Sequence, residues 1–316
     1  MKKISIVTAC YNEEENVELL IKTVKDIMSQ ISQYEYEHIF IDNASEDNTV
    51  SILKKLAKED KHIKVIVNSR NFGHIRSPFH ALMQAKGDAV ISLVADFQDP
   101  PKLILDFIKQ WEAGSQIVLG IKKSSHENSW MFKIRNMYYN LLDKLSEIKV
   151  YKNYTGFGLY DKKVINALRA MDDPYPFFRG MIAEVGYTVT QIPYNQPIRL
   201  RGVTKNNFYT LYDIGILGII NNSKVPLRIA TFLSIIIGFI SFLVGLGYLI
   251  IKLIYWDEMS LGIAPIVIGA SFAFAIVLFF IGILGEYIGM IYTQVLNRPH
   301  VFEKERINFD LDEMES

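Results

Sequence analysis

The sequence predicts an α/β fold with a mostly parallel, Rossmann-like sheet, followed by a C-terminal hairpin of two transmembrane helices. Three observations carry this. Short β-branched apolar runs alternate with helical patterns from Ile4 to Val94. A polar segment follows each of the first four runs. Two stretches, Ile229 to Ile251 and Leu261 to Gly285, contain no charged residue, and each is long enough to cross roughly 30 Å of hydrocarbon as a helix.

The first strand is Ile4 to Ala9, ended by the polar run Asn12 to Asn16. Lys2 and Lys3 before an apolar run suggest a signal peptide, but the run is short and meets Glu13 too early, so it is read as a strand. From Val17 to Ile31, Val17, Leu20, Ile21, Val24, Ile27, Met28 and Ile31 recur at helical spacing. A second strand, His38 to Ile41, runs into Asp42 to Thr49, rich in turn and N-cap residues, and a helix spans Val50 to Glu59. The third strand, Ile63 to Asn68, leads through Ser-Arg-Asn-Phe-Gly-His to a helix over Pro78 to Ala85. The fourth, Ala89 to Val94, ends in Asp96, Gln98 and Asp99, where Pro100 and Pro101 stop any continuation.

Parallel sheets bind ligands beyond the carboxyl ends of their strands. That rule brings Tyr11 to Glu13, Asp42 to Asp47, Arg70 to Asn71 and Asp96 to Asp99 to one edge. Carboxylate and amide oxygens on a loop suit a hard cation, Mg2+ or Mn2+, which leaves coordination positions for the phosphates of a nucleotide. Taken alone, the same loop is also an acidic turn after a core strand.

Composition narrows the function. Lys plus Arg and Asp plus Glu each number 34, so the net charge is zero, and no basic stripe interleaved with aromatics argues for nucleic acid. The single cysteine, Cys10, excludes an internal disulfide and fits a reducing compartment.

The motifs A-C-Y-N-E-E-E-N, I-D-N-A-S-E-D-N-T, S-R-N-F-G and A-D-F-Q-D-P-P resemble the nucleotide-sugar-binding half of a family 2 glycosyltransferase with the GT-A fold. From Val225 through G-E-Y-I-G-M-I-Y at Gly285 to N-R-P-H at Asn297, the chain resembles polyprenyl-phosphate glycosyltransferases of the dolichyl-phosphate mannose synthase and bactoprenol glucosyltransferase type. The resemblance implies a nucleoside diphosphate sugar donor, UDP-linked by preference, and a polyprenyl phosphate acceptor. It also implies roles. Ala9, Tyr11 and Glu13 contact the nucleotide, with Ala9 standing where proline is usual. Asp42 binds base or ribose, its other reading being a turn-forming Asp, and Asn43 replaces a common second aspartate. In the metal motif Val94 takes the first acidic position, Ala95 lies against the nucleotide, and Asp96 and Gln98 remain as direct ligands.

Lys122 matches a phosphate-binding arginine, and Arg135, with Lys133 nearby, lies on a helix whose counterpart approaches the acceptor phosphate; a solvated face is the other reading of that helix. In T-G-F-G-L-Y-D, Gly156 and Gly158 replace an acid and an arginine. Arg199, Thr204 and Lys205 in R-L-R-G-V-T-K resemble a loop that closes over the pyrophosphate, and Arg201 is equally placed for the role of Arg199. A basic loop drawn to anionic lipid is the alternative.

The resulting layout is a GT-A domain over residues 1–205, interfacial amphipathic helices over 206–225, two transmembrane helices over 226–293 and a cytoplasmic tail over 294–316, of which the part after Phe302 is charged and expected to be mobile. The connector near Asp257 and Glu258 is acidic, whereas Lys205, Lys224, Arg228, Arg298, Lys304 and Arg306 flank the other ends. The positive-inside rule then places the catalytic domain and both termini in the cytoplasm, in the inner membrane, with Glu286 near the cytoplasmic interface. A homo-oligomer stays open. The expected function is a membrane-anchored, metal-dependent, inverting glycosyltransferase. Its rivals are transfer to another lipid and a nucleotide-sugar-binding protein without activity, the latter prompted by Val94 and Gly156.

Overall fold

The computed structural model describes residues 1–124, 151–197, 220, 223–255 and 263–309. The helix expected around Lys133 and Arg135, the loop from Arg199 to Lys205, and the segment Phe208 to Ile220, except Ile220 itself, lie outside the described residues, as does the connector after Tyr255. In chain order the elements are β1 Lys2–Cys10, α1 Val17–Met28, β2 Tyr34–Asp42, α2 Thr49–Glu59, β3 Ile63–Asn68, α3 Gly73–Gln84, β4 Ala89–Ser92, α4 Leu103–Glu112, β5 Ile117–Ser124, β6 Tyr154–Asp161, α5 Lys162–Met171, α6 Phe178–Glu184, β7 Val189–Asn195, α7 Val225–Ile254, α8 Ile263–Leu296 and β8 Glu303–Ile307.

Eight strands form one sheet in the order β7-β5-β6-β4-β1-β2-β3-β8. The pairs β1–β2, β1–β4, β2–β3 and β5–β7 are parallel, as the strand-helix rhythm predicts for the first four strands. β6 enters antiparallel between β4 and β5, and β8 is antiparallel to β3. Both faces are covered. Leu20, Val24, Leu53 and Phe107 pack with Ile4, Ile6 and Phe40 on one face; Phe79, Leu82, Val164 and Met181 pack with Val7, Ile39 and Ile66 on the other. Alternate β1 side chains therefore serve opposite cores, which is why Ile4 to Thr8 is buried on both faces.

Two sequence expectations need revision. The helix α3 starts at Gly73, not at Pro78, which sits inside it. Proline favours a first turn, but here it forgoes one internal hydrogen bond while Phe79 and Leu82 dock in the core. Residues 303–309, the described part of the tail after Phe302, are not loose. Ser69 N–H donates to Phe302 O at 2.9 Å, Glu303 accepts from His80 at 2.6 Å and from Arg306, and Asn308 donates to Ala57 O and Ile63 O at 2.6 and 2.8 Å. A charged strand, E-K-E-R-I, has little hydrophobic signal, yet the backbone edge of β3 supplies its partners.

The helices α7 and α8 are long and apolar enough to cross a membrane, and their large side chains point outward: Phe274 is 68% exposed. Tyr287 donates to Ser223 O at 2.7 Å, which puts Glu286 level with the start of α7. Below that level α8 is fastened to the soluble domain, where Gln294 donates to Asp173 at 2.8 Å and Arg76 donates to Pro299 O.

Candidate functional site

At the carboxyl edge of the parallel strands lies a cleft of about 520 Å3. Ala9 and Tyr11 from the end of β1, Asn43 after β2, Asn71 after β3, and Val94 and Asp99 after β4 all line it. The predicted convergence of four loops is thus present, although the acids divide between two tasks.

The loops after β1 and β2 brace each other. Asn12, held at φ 56°, donates its N–H to Ser45 Oγ at 2.8 Å and accepts from Glu46 N–H at 2.8 Å. Glu14 N–H donates to Asp47 at 3.2 Å, and Asn48 donates to the Glu14 carboxylate at 2.9 Å through both backbone and side chain. Glu13 is buried, with its N–H on Thr49 Oγ1 at 2.9 Å and its carboxylate accepting from Asn16 at 2.6 Å. Asp42 is 0% exposed, and its carboxylate accepts from the Ser45 N–H at 2.9 Å and from the Ser45 hydroxyl. Burial raises the Asp42 pKa, against the lowering effect of those bonds. Neither Glu13 nor Asp42 lines the cleft. Cys10 does, and burial followed by the charges of Asp42, Glu13 and Asp47 pushes its thiol up, so it is a neutral wall.

Asn43 joins the second loop to the third. Its amide nitrogen donates to Asn71 Oδ1 at 2.9 Å and Gly73 O at 3.2 Å, while its oxygen accepts from Asn68 at 3.1 Å and from Phe72 N–H at 2.9 Å. An aspartate has no donor for the first two bonds, which is a physical reason for asparagine here.

The loop after β4 is built differently. Leu93 N–H donates to Val7 O at 2.9 Å and Ala95 is buried, but Val94 is 40% exposed and faces the cleft. Asp96 and Gln98 are half-buried, with Asp96 accepting from Gln98 N–H at 3.0 Å around Phe97, which takes φ 61°. Asp99 is only 3% exposed and accepts from the Tyr194 hydroxyl at 2.7 Å. Burial pushes the Asp99 carboxyl up to about 6, against the Tyr194 hydrogen bond and the nearby positive charge of Lys122, which pairs in register with Tyr194. Ala95, Asp96, Gln98 and Lys122 flank the cleft without lining it.

The two glycine departures are explained by the backbone. Gly156 lines the cleft at φ +109°, a conformation that a residue with a Cβ adopts only under strain. A Cβ on Gly158 would meet Val118 O at 2.5 Å, so no larger side chain fits between β6 and β5. Thr155, His74, Phe177, Phe178 and Arg179 also line the cleft. Sequence reasoning missed these, and the only available signal was the aromatic pair before Arg179 in P-F-F-R.

Among the described residues, no group of three or more His, Cys, Asp or Glu side chains is gathered to hold a metal. The donors present are the oxygens of Asp96 and Gln98 on one loop. That set fits a hard cation held by one or two protein groups and completed by substrate phosphates, as Mg2+ commonly is.

Residues 5–169 match the family model described as Glycosyl transferase family 2. An uncharacterized glycosyltransferase of Synechocystis is 33% identical over 298 residues, covering 94% of this chain and 93% of that protein. The bactoprenol glucosyl transferase of Shigella phage SfII is 33% identical over 305 residues, covering 96% and 98%. Among solved structures, glucosyl-3-phosphoglycerate synthase from Mycobacterium tuberculosis in complex with phosphoglyceric acid aligns with a TM-score of 0.48 at 16% identity, covering 69% of this chain and 78% of that one. The mixed, mostly parallel sheet is GT-A-like.

Proposed function

The chain belongs to glycosyl transferase family 2, and from that premise we infer that it moves a sugar from a nucleoside diphosphate sugar to a polyprenyl phosphate at the cytoplasmic face of the inner membrane. One observation carries this reading: the cleft at the strand ends belongs to a domain that β8 ties directly to the end of a long apolar helix. Similarity to a bactoprenol glucosyl transferase over nearly the whole chain supports the acceptor class.

Ala9, Tyr11 and Asn43 would receive the nucleotide, with UDP the favoured carrier. Asp96 and Gln98 would hold Mg2+ or Mn2+, which supplies positive charge to the departing diphosphate. Arg199 or Arg201, with Thr204 and Lys205, would close over the same diphosphate, and Arg135 would hold the acceptor phosphate in line. The acceptor's phosphate oxygen attacks the anomeric carbon as the bond to the diphosphate breaks, so configuration inverts. A phosphomonoester has a second pKa of about 6 and is already largely ionised near neutrality. Such a nucleophile needs alignment more than proton removal, which accords with a glycine at Gly156.

The tethers support this topology. The strand β8 brings the chain after α8 back to the catalytic sheet, and the Tyr287–Ser223 bond sets the start of α7 beside α8 on that side. Lys224, Arg228, Arg298, Lys304 and Arg306 cluster in sequence at these ends, which supports a cytoplasmic placement for both.

The test is incubation of the purified full chain with labelled UDP-sugars, Mn2+ and undecaprenyl phosphate. A glycolipid product whose formation EDTA suppresses is expected. No such product from any common donor would overturn the reading.

A further inference from the structure

Where α8 ends, three arginines gather; the nearby Asp173 carboxylate accepts from Gln294 at 2.8 Å and forms no ion pair with them among the described residues. Arg76 on α3 is repelled by both Arg70 and Arg298, and burial together with these two charges lowers its pKa. Arg70 and Arg76 lie over the same Phe72 ring, at 4.0 and 5.6 Å from its centre, and Phe302 packs beside that ring at 6.2 Å. Arg76 spends one guanidinium N–H on Pro299 O, but its buried Nε has no acceptor. Arg298, exposed just past the end of α8, makes no hydrogen bond or ion pair among the described residues. None of the three pairs with a carboxylate among those residues.

Clustered guanidinium groups repel one another, so such a cluster marks a place where an anion is expected. Its setting narrows the class. Phe302 is exposed beside the Phe72 ring, Tyr292 and Val295 are exposed on the last turns of α8, and Lys224 and Arg228 open the neighbouring helix α7. Aromatic and apolar side chains mixed with cations at the foot of spanning helices are the signature of the headgroup layer. The cluster is also separate from the cleft: Ile75 and Ser77 line the cleft, whereas Arg76 between them does not.

We propose that Arg76 and Arg298, with Arg70 beside them, bind the phosphodiester headgroup of an anionic bilayer lipid where α8 leaves the membrane. The site rests on the reading of α7 and α8 as membrane spans, and it is independent of the sugar, the nucleotide and the acceptor. Its consequence is mechanical. A lipid held there joins α3, whose first turns line the cleft, to the segment that follows α8.

The experiment is thermal unfolding of the full chain in neutral detergent, titrated separately with short-chain phosphatidylglycerol, phosphatidylcholine, inorganic phosphate and undecaprenyl phosphate. Phosphatidylglycerol raises the midpoint saturably, and phosphatidylcholine and inorganic phosphate do not. In the double variant Arg76→Gln/Arg298→Gln the apparent affinity for phosphatidylglycerol falls about twenty-five-fold, from a contribution of about fivefold per arginine near a lipid surface. If the double variant does not fold, Arg298→Gln alone, at an exposed position with no hydrogen-bond or ion-pair partner among the described residues, still weakens it about fivefold. An equal response in wild type and variants overturns the site. So does selective loss of the undecaprenyl phosphate response, which would assign the cluster to the acceptor. Alkaline carbonate extraction of membranes, run in parallel, separates the premises: released protein means the membrane reading itself fails, whereas retained protein without a lipid response overturns this site alone.

Discussion

The acids after β1 and β2 and the acids after β4 stand at the same edge of the sheet, yet they do different work. Glu13, Glu14, Asp42 and Asp47 all accept hydrogen bonds from neighbouring loop groups, so their charge is spent on shaping two loops against each other. Around β4, Asp96 accepts from Gln98 N–H within its own turn, and Asp99 lines the cleft and accepts from the Tyr194 hydroxyl. The difference teaches that carboxylates of similar spacing take different tasks according to which groups reach them: Glu14 and Asp47 bond across to the facing loop, whereas Asp96 bonds within its own turn and Asp99 takes a tyrosine hydroxyl.

The largest effect that can break this comparison is on activity. Asp96→Ala is expected to lower glycosyl transfer about a thousandfold, the scale of losing a metal-borne charge on a leaving group, while the unfolding midpoint stays put. Full activity in that variant would show that the site has been misplaced.

Next comes Asp99, through pH. Its carboxyl is raised from 3.8 to about 6, so the native state holds the proton more tightly than the unfolded chain. The sign follows: this contribution to stability is complete below the unfolded pKa and is lost as pH rises through about 6. In EDTA, Asp99→Asn should therefore be more stable than wild type near pH 7, by about 3 kcal/mol at most, with the gain vanishing toward pH 4. A gain that does not change with pH would mean that Asp99 is not the buried acid described.

Gly156→Ala sharpens the account of the glycine departures. A Cβ at φ +109° costs about 1 to 3 kcal/mol, read as a lowered denaturation midpoint with an unchanged m-value. An Ala variant as stable as wild type would refute the backbone explanation.

The smallest expected effect is on the scaffold side. Asp47→Ala removes the acceptor for Glu14 N–H, Thr49 N–H and the Thr49 hydroxyl at the start of α2. It should cost about 1 kcal/mol of stability, with residual transfer far above that of Asp96→Ala. If Asp47→Ala instead abolished transfer in a stable protein, the division between scaffold and site would be wrong.

Much of this molecule was legible before any coordinates. The helical spacing from Val17 onward, the apolar runs of β1 to β4 and the uncharged spans follow from period and hydrophobicity, because each element must bury one face or sit in lipid. The family motifs marked the right edge of the sheet. The antiparallel insertion of β6 was not legible, since strand order depends on which edge remains free. Nor was β8, a charged strand whose stability comes from backbone pairing and from bonds such as that of His80 to Glu303.

By itself, then, the sequence determined the rhythm of strands and helices, the two helices long and apolar enough to cross a membrane, and the polar loops that meet at the strand ends. Only the tertiary structure decided which of those acids are consumed in bracing, what the backbone requires at Asn43, Gly156 and Gly158, and that residues 303–307 return to the sheet. The reason is physical: periodicity is a local property of the chain, whereas the fate of a carboxylate, a glycine or a sheet edge depends on which distant backbone group arrives beside it.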